Sequence, residues 1–328
     1  MSHKRIATPK IYVDWVNWMQ VTGHESVADA VTLSAGTMAS GTIEDAFDIN
    51  PTNTCVLNTD SVSQFVIKVD SNMGTDSYMD YDYVAILGHD IHGANTKFKI
   101  ATSDDWSSFS YPTMTEKVNA TVSGGWATPS SNGWSLIEWT QTSNNRYIAI
   151  ELKHDDSSSN MSADITIGAI MLGKKMSFPH RPNLSHKIDK VFKTKLKESL
   201  GGARYSVALN NGYNKWGDDT NRWYNTGTTN SEWNTRTGRH IFNLSWSYIQ
   251  DTDMWRVQDD VTDEFTGNDT SIENLLIDKV HGSHLPFIFQ IDDTNYSDGI
   301  YLVRMTKHSM QQTAPNLWTF SCTLEEEL

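Results

Sequence analysis

The segment Gly88-His89-Asp90-Ile91-His92 sets two imidazoles three residues apart around a carboxylate, side chains able to hold a metal or move a proton. That spacing places zinc ligands on one face of a helix. The flanking runs "YVAILGHD" and "TKFKIAT" alternate as strands, however, and in a strand positions i and i+3 point to opposite sides. Gly88, Asp90, Gly93 and Asn95 are turn residues, so the expectation is a corner between two strands, with no metal and no cofactor.

Acidic pairs recur in "WGDDTNRW", "RVQDDVTDEF" and "QIDDTN", the residue types of a glycosidase, but two acids in a polar loop carry little specificity. The chain holds no nucleophile elbow, no glycine-rich phosphate loop and no zinc-protease helix. We therefore expect no catalytic residue and a protein that is not an enzyme. Rings beside polar groups carry the stronger signal, since tryptophan and tyrosine stack on sugars and on neighbouring subunits. In the serine- and glycine-rich stretch from 104 to 134, Trp106, Tyr111 and Trp126 are candidate glycan contacts, on loops expected at one end of a sandwich. Between Gly212 and Gly238 the rings Trp216, Trp223, Tyr224 and Trp233 lie among turn residues. They are candidate subunit contacts, because clustered exposed aromatics mark interfaces, with sugar stacking the alternative.

Positioning these groups requires a β framework. The 328 residues suit two domains, and 12 Trp, 12 Tyr and 11 Phe supply enough apolar surface for more than one core. Acids outnumber bases 40 to 26, giving a charge of −14 that argues against nucleic acid, whose phosphates need basic partners. The first residues lack an apolar signal core and no run approaches the ~20 apolar residues of a membrane helix, so no membrane insertion is expected. Cys55 and Cys322 read as buried thiols. Short alternating runs, "KIYVDWVNWMQV", "QFVIKVD", "YVAILGHD", "TKFKIAT", "GWSLIEWT", "RYIAIELKHD" and "ADITIGAIMLG", read as strands of one sandwich over residues 1–178. Pro179 and Pro182 mark the boundary. Residues 179–328 read as a second β-sandwich or barrel with one helix at about 270–281. Its stripe is Ile272, Leu275, Leu276 and Val280, with Thr270 and Glu273 at capping-box spacing and Gly282 at the stop. Lys193, Lys195 and Lys197 share one face of a lysine-protected edge strand, with an anionic partner as the alternative.

The series "YVAILGHDIHGANTKFKI", "RYIAIELKHD" and "ADITIGAIMLGKKMSFP" resembles the amino-terminal sandwich of tailed-bacteriophage tail proteins. There a Gly-His-Asn-Leu turn follows a hydrophobic strand, a later strand begins Arg-Tyr, and an Ile-Gly-x-x-x-x-Gly phrase precedes a proline. Here Asp90 and Ile91 replace the Asn and Leu, and the likeness covers roughly residues 10–180. The resemblance implies a jelly roll similar to galactose-binding folds, which establishes no sugar activity by itself. The second half, with its helix, "HLPFIFQID" and the closing "FSCTLEEEL", is similar to the tail-tube and distal-tail β domain. That likeness implies a structural virion protein of the tail or tail tip, made in the host cytoplasm, forming homo-oligomeric rings with other tail proteins as neighbours. The alternative is a carbohydrate-binding module for host-surface glycans.

Overall fold

The computed structural model describes residues 6–23, 26–50, 53–60, 62–71, 81–130, 133–140, 145–156, 160–161, 163–191, 194–208, 239–256, 269–293 and 299–327. Trp216, Trp223, Tyr224 and Trp233 lie outside the described residues. The architecture is mainly β and antiparallel. One ten-stranded sheet has the order β15 (Lys187–Val191), β18 (Arg239–Gln250), β21 (Leu317–Glu326), β20 (Ile300–Ala314), β19 (Phe287–Gln290), β1 (Lys10–Asp14), β14 (Ala169–Ser177), β6 (Tyr83–His89), β11 (Gly133–Trp139) and β8 (Met114–Val118). Facing its first-half strands is a six-stranded sheet, β2 (Val31–Ala35), β5 (Gln64–Asp70), β12 (Tyr147–His154), β7 (Thr96–Ser103), β10 (Trp126–Pro129) and β9 (Ala120–Ser123). A three-stranded sheet joins β13 (Ile165–Ile167), β4 (Cys55–Asn58) and β3 (Thr37–Ser40), and a hairpin joins β16 (Thr194–Glu198) to β17 (Arg204–Ala208). Lys195 and Lys197 thus pair with β17 in a ribbon of their own, and Lys193 lies outside the described residues.

Alternation explains the sandwich. Phe65, Ile67 and Val69 of β5, Ile148, Ile150 and Leu152 of β12, and Phe98 and Ile100 of β7 point inward and meet Val84 and Ile86 of β6 and Ile170 and Leu172 of β14 in one buried core. Cys55 and Cys322 are buried free thiols.

Two expectations need correction. "KIYVDWVNWMQV" is a strand only through Asp14; Trp15–Thr22 is a helix, α1. Asp14 is its N-cap, accepting from Val16 N, and Gly23, left-handed at φ 73°, closes it. Trp15, Trp18 and Met19 form the buried helical stripe that strand alternation conceals. In the second half the helical segment is Ile272–Asp278, capped by Ser271 rather than Thr270, because Ser271 Oγ accepts from Asn274 N at 3.3 Å. Its turns are wide, with Lys279 N bonding Asn274 O and Gly282 N bonding Ile277 O. Glu273 accepts instead from Arg256 N at 3.0 Å.

The two halves share a sheet. β1 pairs with β14 on one side and β19 on the other, so the first strand of the chain sutures the amino-terminal sandwich to the carboxy-terminal strands. Gly173 of β14 lies opposite Asp14; a Cβ there would come within 2.0 Å of Val13 O and 2.8 Å of Trp15 Cδ1, so only glycine lets the chain turn from β1 into α1. Along this seam Glu138 accepts from the Tyr12 hydroxyl at 2.7 Å and pairs with Lys10 at 3.2 Å and Lys175 at 2.9 Å. Asp293, from the second half, pairs with Lys10 at 2.9 Å and Lys117 at 3.1 Å.

Candidate functional site

β12 is central in the six-stranded sheet, and its odd-numbered residues turn away from the core: Tyr147, Ala149, Glu151 and Lys153. Register places Lys68 of β5 opposite Ala149, and Lys99 and Lys97 of β7 opposite Glu151 and Lys153. Directly paired residues share a face, so this outer surface carries a band of lysines around one glutamate.

Rings converge on the band from two loops. After β7 the chain folds back, with Thr102 and Ser110 exchanging backbone hydrogen bonds at 2.8 Å each. Asp105 holds the tip, accepting from Ser107 N at 2.9 Å and Ser107 Oγ at 2.6 Å, bonds that keep its carboxyl below the usual range. Trp106 takes a left-handed backbone, φ 61°, and its own N–H donates to Ser103 Oγ at 3.1 Å. A non-glycine residue in that region marks a local constraint that the surrounding turn must impose. The result sets the Trp106 ring edge-on to Tyr147, centroids 5.7 Å apart, with Phe109 5.1 Å away on the loop. Lys68 Nζ lies 5.0 Å from the Trp106 ring and 4.3 Å from Tyr147, while Lys99 Nζ lies 3.7 Å from Tyr111. Trp126 opens β10 after Gly124 and Gly125, both at positive φ as a tight hairpin turn requires. Lys99 and Lys97 lie 4.8 and 5.6 Å from its ring.

Trp106, Tyr111 and Trp126 are therefore brought together, but across the sheet face rather than on loops at the end of the sandwich. Tyr111 is 55 % exposed and Phe109 37 %, whereas Trp106 and Trp126 are half-buried. Sequence reasoning missed Lys68, Tyr147 and Glu151. The period-two alternation in "QFVIKVD" and "RYIAIELKHD" puts them on outer faces; only the pairing of β5, β12 and β7 unites them.

The histidine corner has separate tasks. His89 is buried, with Nε2 2.9 Å from Ser135 Oγ, and burial pushes its pKa down to about 3, so the ring is neutral. His92 Nδ1 reaches Pro129 O at 3.0 Å. Asp90 ties the turn to the start of β13, accepting from Thr166 N at 2.7 Å. Among the described residues no cluster of three or more His, Cys, Asp or Glu side chains could hold a metal. A groove of about 470 Å³ lies over β18, β21 and β20, lined by Asn243, Ser245, His308, Ser309, Ser321 and Thr323. Ser309 and Ser321 bond each other there at 2.8 Å, and Thr323 donates to Asn243 at 3.0 Å, which leaves few of its hydroxyls available to a ligand.

No family model matches the chain, and no curated protein matches it. Solved structures similar to part of this chain include carbohydrate-binding modules. A chitosan-binding module of a chitosanase/glucanase from Paenibacillus sp. IK-5 is 14% identical over 44% of this chain and 93% of its own, TM-score 0.31. A CBM32 module from Clostridium perfringens, in complex with GalNAc-β-1,3-galactose, is 10% identical over 44% of this chain and 94% of its own, TM-score 0.31. A fucose-binding module of Streptococcus pneumoniae is 11% identical over 44% and 92%, TM-score 0.29.

Proposed function

We propose that the protein binds glycans on the outer face of its six-stranded sheet and acts by recognition rather than catalysis. The observation that carries this reading is the convergence of Trp106, Tyr111, Trp126 and Tyr147 on one band that also bears Lys68, Lys97, Lys99 and Glu151. Aromatic faces supply stacking area for sugar rings, and the charged heads between them supply hydrogen bonds to hydroxyls. A glycan array probed with the whole protein tests it, followed by affinity electrophoresis on the positive sugars. Trp126→Ala is expected to weaken binding about tenfold with an unchanged circular dichroism spectrum. A blank array, or a Trp126→Ala protein that binds as the parent does, overturns the reading.

A second reading, assembly of copies into a ring within a bacteriophage tail, is favoured by one feature. Beyond Val303, β20 continues to Ala314 paired with β21 alone, and among the described residues no strand lies along its other edge. Such an edge can accept a strand from another chain. Sedimentation velocity over a rising concentration series is expected to show closed oligomers; a lone monomer throughout sinks this reading.

A further inference from the structure

The cations of the aromatic face are not all paired. Arg146 is held by Asp70 through two bonds of 2.8 and 2.9 Å, Lys99 by Glu151 at 3.1 Å, and Lys97 by Asp155 at 3.3 Å. Asp105, on the overlying loop, is engaged by serine hydroxyls and N–H groups. Lys68 and Lys153 remain, and among the described residues neither has a carboxylate within ion-pair distance. The rings of Trp106 and Tyr147 lie 5.0 and 4.3 Å from the Lys68 ammonium. Lys153 lies directly opposite Lys97 on the same face, and like charges so placed repel unless an anion lies between them. These two cations without a carboxylate partner stand on a chain whose net charge is −14. Lys68 pairs with Ala149 and Lys153 lies four residues further along β12, so the two cations are separated by roughly 14 Å along the strand. Trp106 and Tyr147 lie beside the first, and Trp126 lies 5.6 Å from Lys97, the residue opposite the second on β7.

Deepening the glycan reading, on which it rests, we propose that this face selects acidic glycans: chains laid along β12 whose sugar rings stack on the aromatics and whose anionic groups, carboxylate or sulfate, meet Lys68 and the Lys97–Lys153 pair. The lysines act as point charges and so recognise the charge itself.

Calorimetry with the whole protein compares polygalacturonic acid with its fully methyl-esterified form, and dextran sulfate with dextran. An acid-over-neutral preference of about tenfold or more in either pair, weakened by added salt, is expected and identifies the anion. Lys68→Met and Lys153→Met should each reduce acid binding severalfold and neutral binding by less, so that the acid-over-neutral ratio narrows, whereas Trp126→Ala should weaken both alike and leave that ratio unchanged. Equal affinity for charged and neutral partners in both pairs overturns charge selection while leaving the glycan reading intact. Acid preference undiminished in Lys68→Met and Lys153→Met overturns the assignment of these residues. A protein that binds no glycan on the array overturns both.

Discussion

Glu138→Ala is expected to lower the folding free energy by about 3–5 kcal/mol, the cost of removing one partner from a buried charge network. Glu138 is 5 % exposed and Lys10 6 %. With the carboxylate gone, Lys10 keeps only Asp293 among the described residues, Lys175 loses its acid, and the Tyr12 hydroxyl loses the nearer of two acceptors and keeps Gln290 Oε1 at 2.9 Å. Lys117 and Lys175 reach solvent, so water screens part of the surplus and favours the lower end of that range. Glu138→Gln, which preserves shape and one acceptor, should cost less. Burial alone would raise the Glu138 pKa, but the Tyr12 hydrogen bond and the Lys10 and Lys175 charges outweigh it and hold the carboxyl below its ordinary value. Its contribution is therefore complete above the unfolded value of about 4.5 and is lost as pH falls through the lower folded value. Urea titrations of parent and variant across the acid range check this. The gap should close on acidification, and a gap that persists with all carboxyls protonated would assign the effect to packing. Because Asp293 and Gln290 enter the same network from beyond residue 178, the variant should also loosen the second half from the first.

How far the sequence reveals this arrangement depends on the range of the interaction that decides each element. β6, β7, β12 and β14 are set by local alternation and by a core that buries one face, and each is readable in its own run of residues. "KIYVDWVNWMQV" is not, because Val13, Trp15 and Trp18 fit a strand and a helix about equally until Asp14 turns its carboxylate back to cap Val16 N. The prolines at 179 and 182 lie in the connection between β14 and β15, two strands of the same sheet. Across that connection Lys10–Tyr12 pairs with Ile288–Gln290, a contact no local pattern encodes. The same limit applies to the site: Trp106, Tyr111 and Trp126 stand out by composition, yet Tyr147 and Lys68 join them only through the ladders of β12 with β5 and β7.

Asp14 should impose the opposite pH trend from Glu138, although it lies on the same strand as Lys10 and Tyr12. It is 1 % exposed, accepting from Val16 N at 3.0 Å and Asn17 Nδ2 at 2.6 Å, and no cation pairs with it among the described residues. Burial dominates the hydrogen bonds and pushes its pKa up to about 7, from 3.8 when exposed. The folded chain then keeps a proton that the unfolded chain releases. Stability from this group is complete below about pH 4 and is lost as pH rises toward about 7, amounting to on the order of 4 kcal/mol. Asp14→Asn, neutral throughout and still an N-cap residue, should remove that slope and make the variant progressively more stable relative to the parent as pH increases over the interval. Denaturation midpoints measured for both proteins at several pH values decide it. Parallel curves would mean that Asp14 is ionised in the folded state at neutral pH, and that the seam between β1 and α1 admits enough water or counter-charge to keep it so.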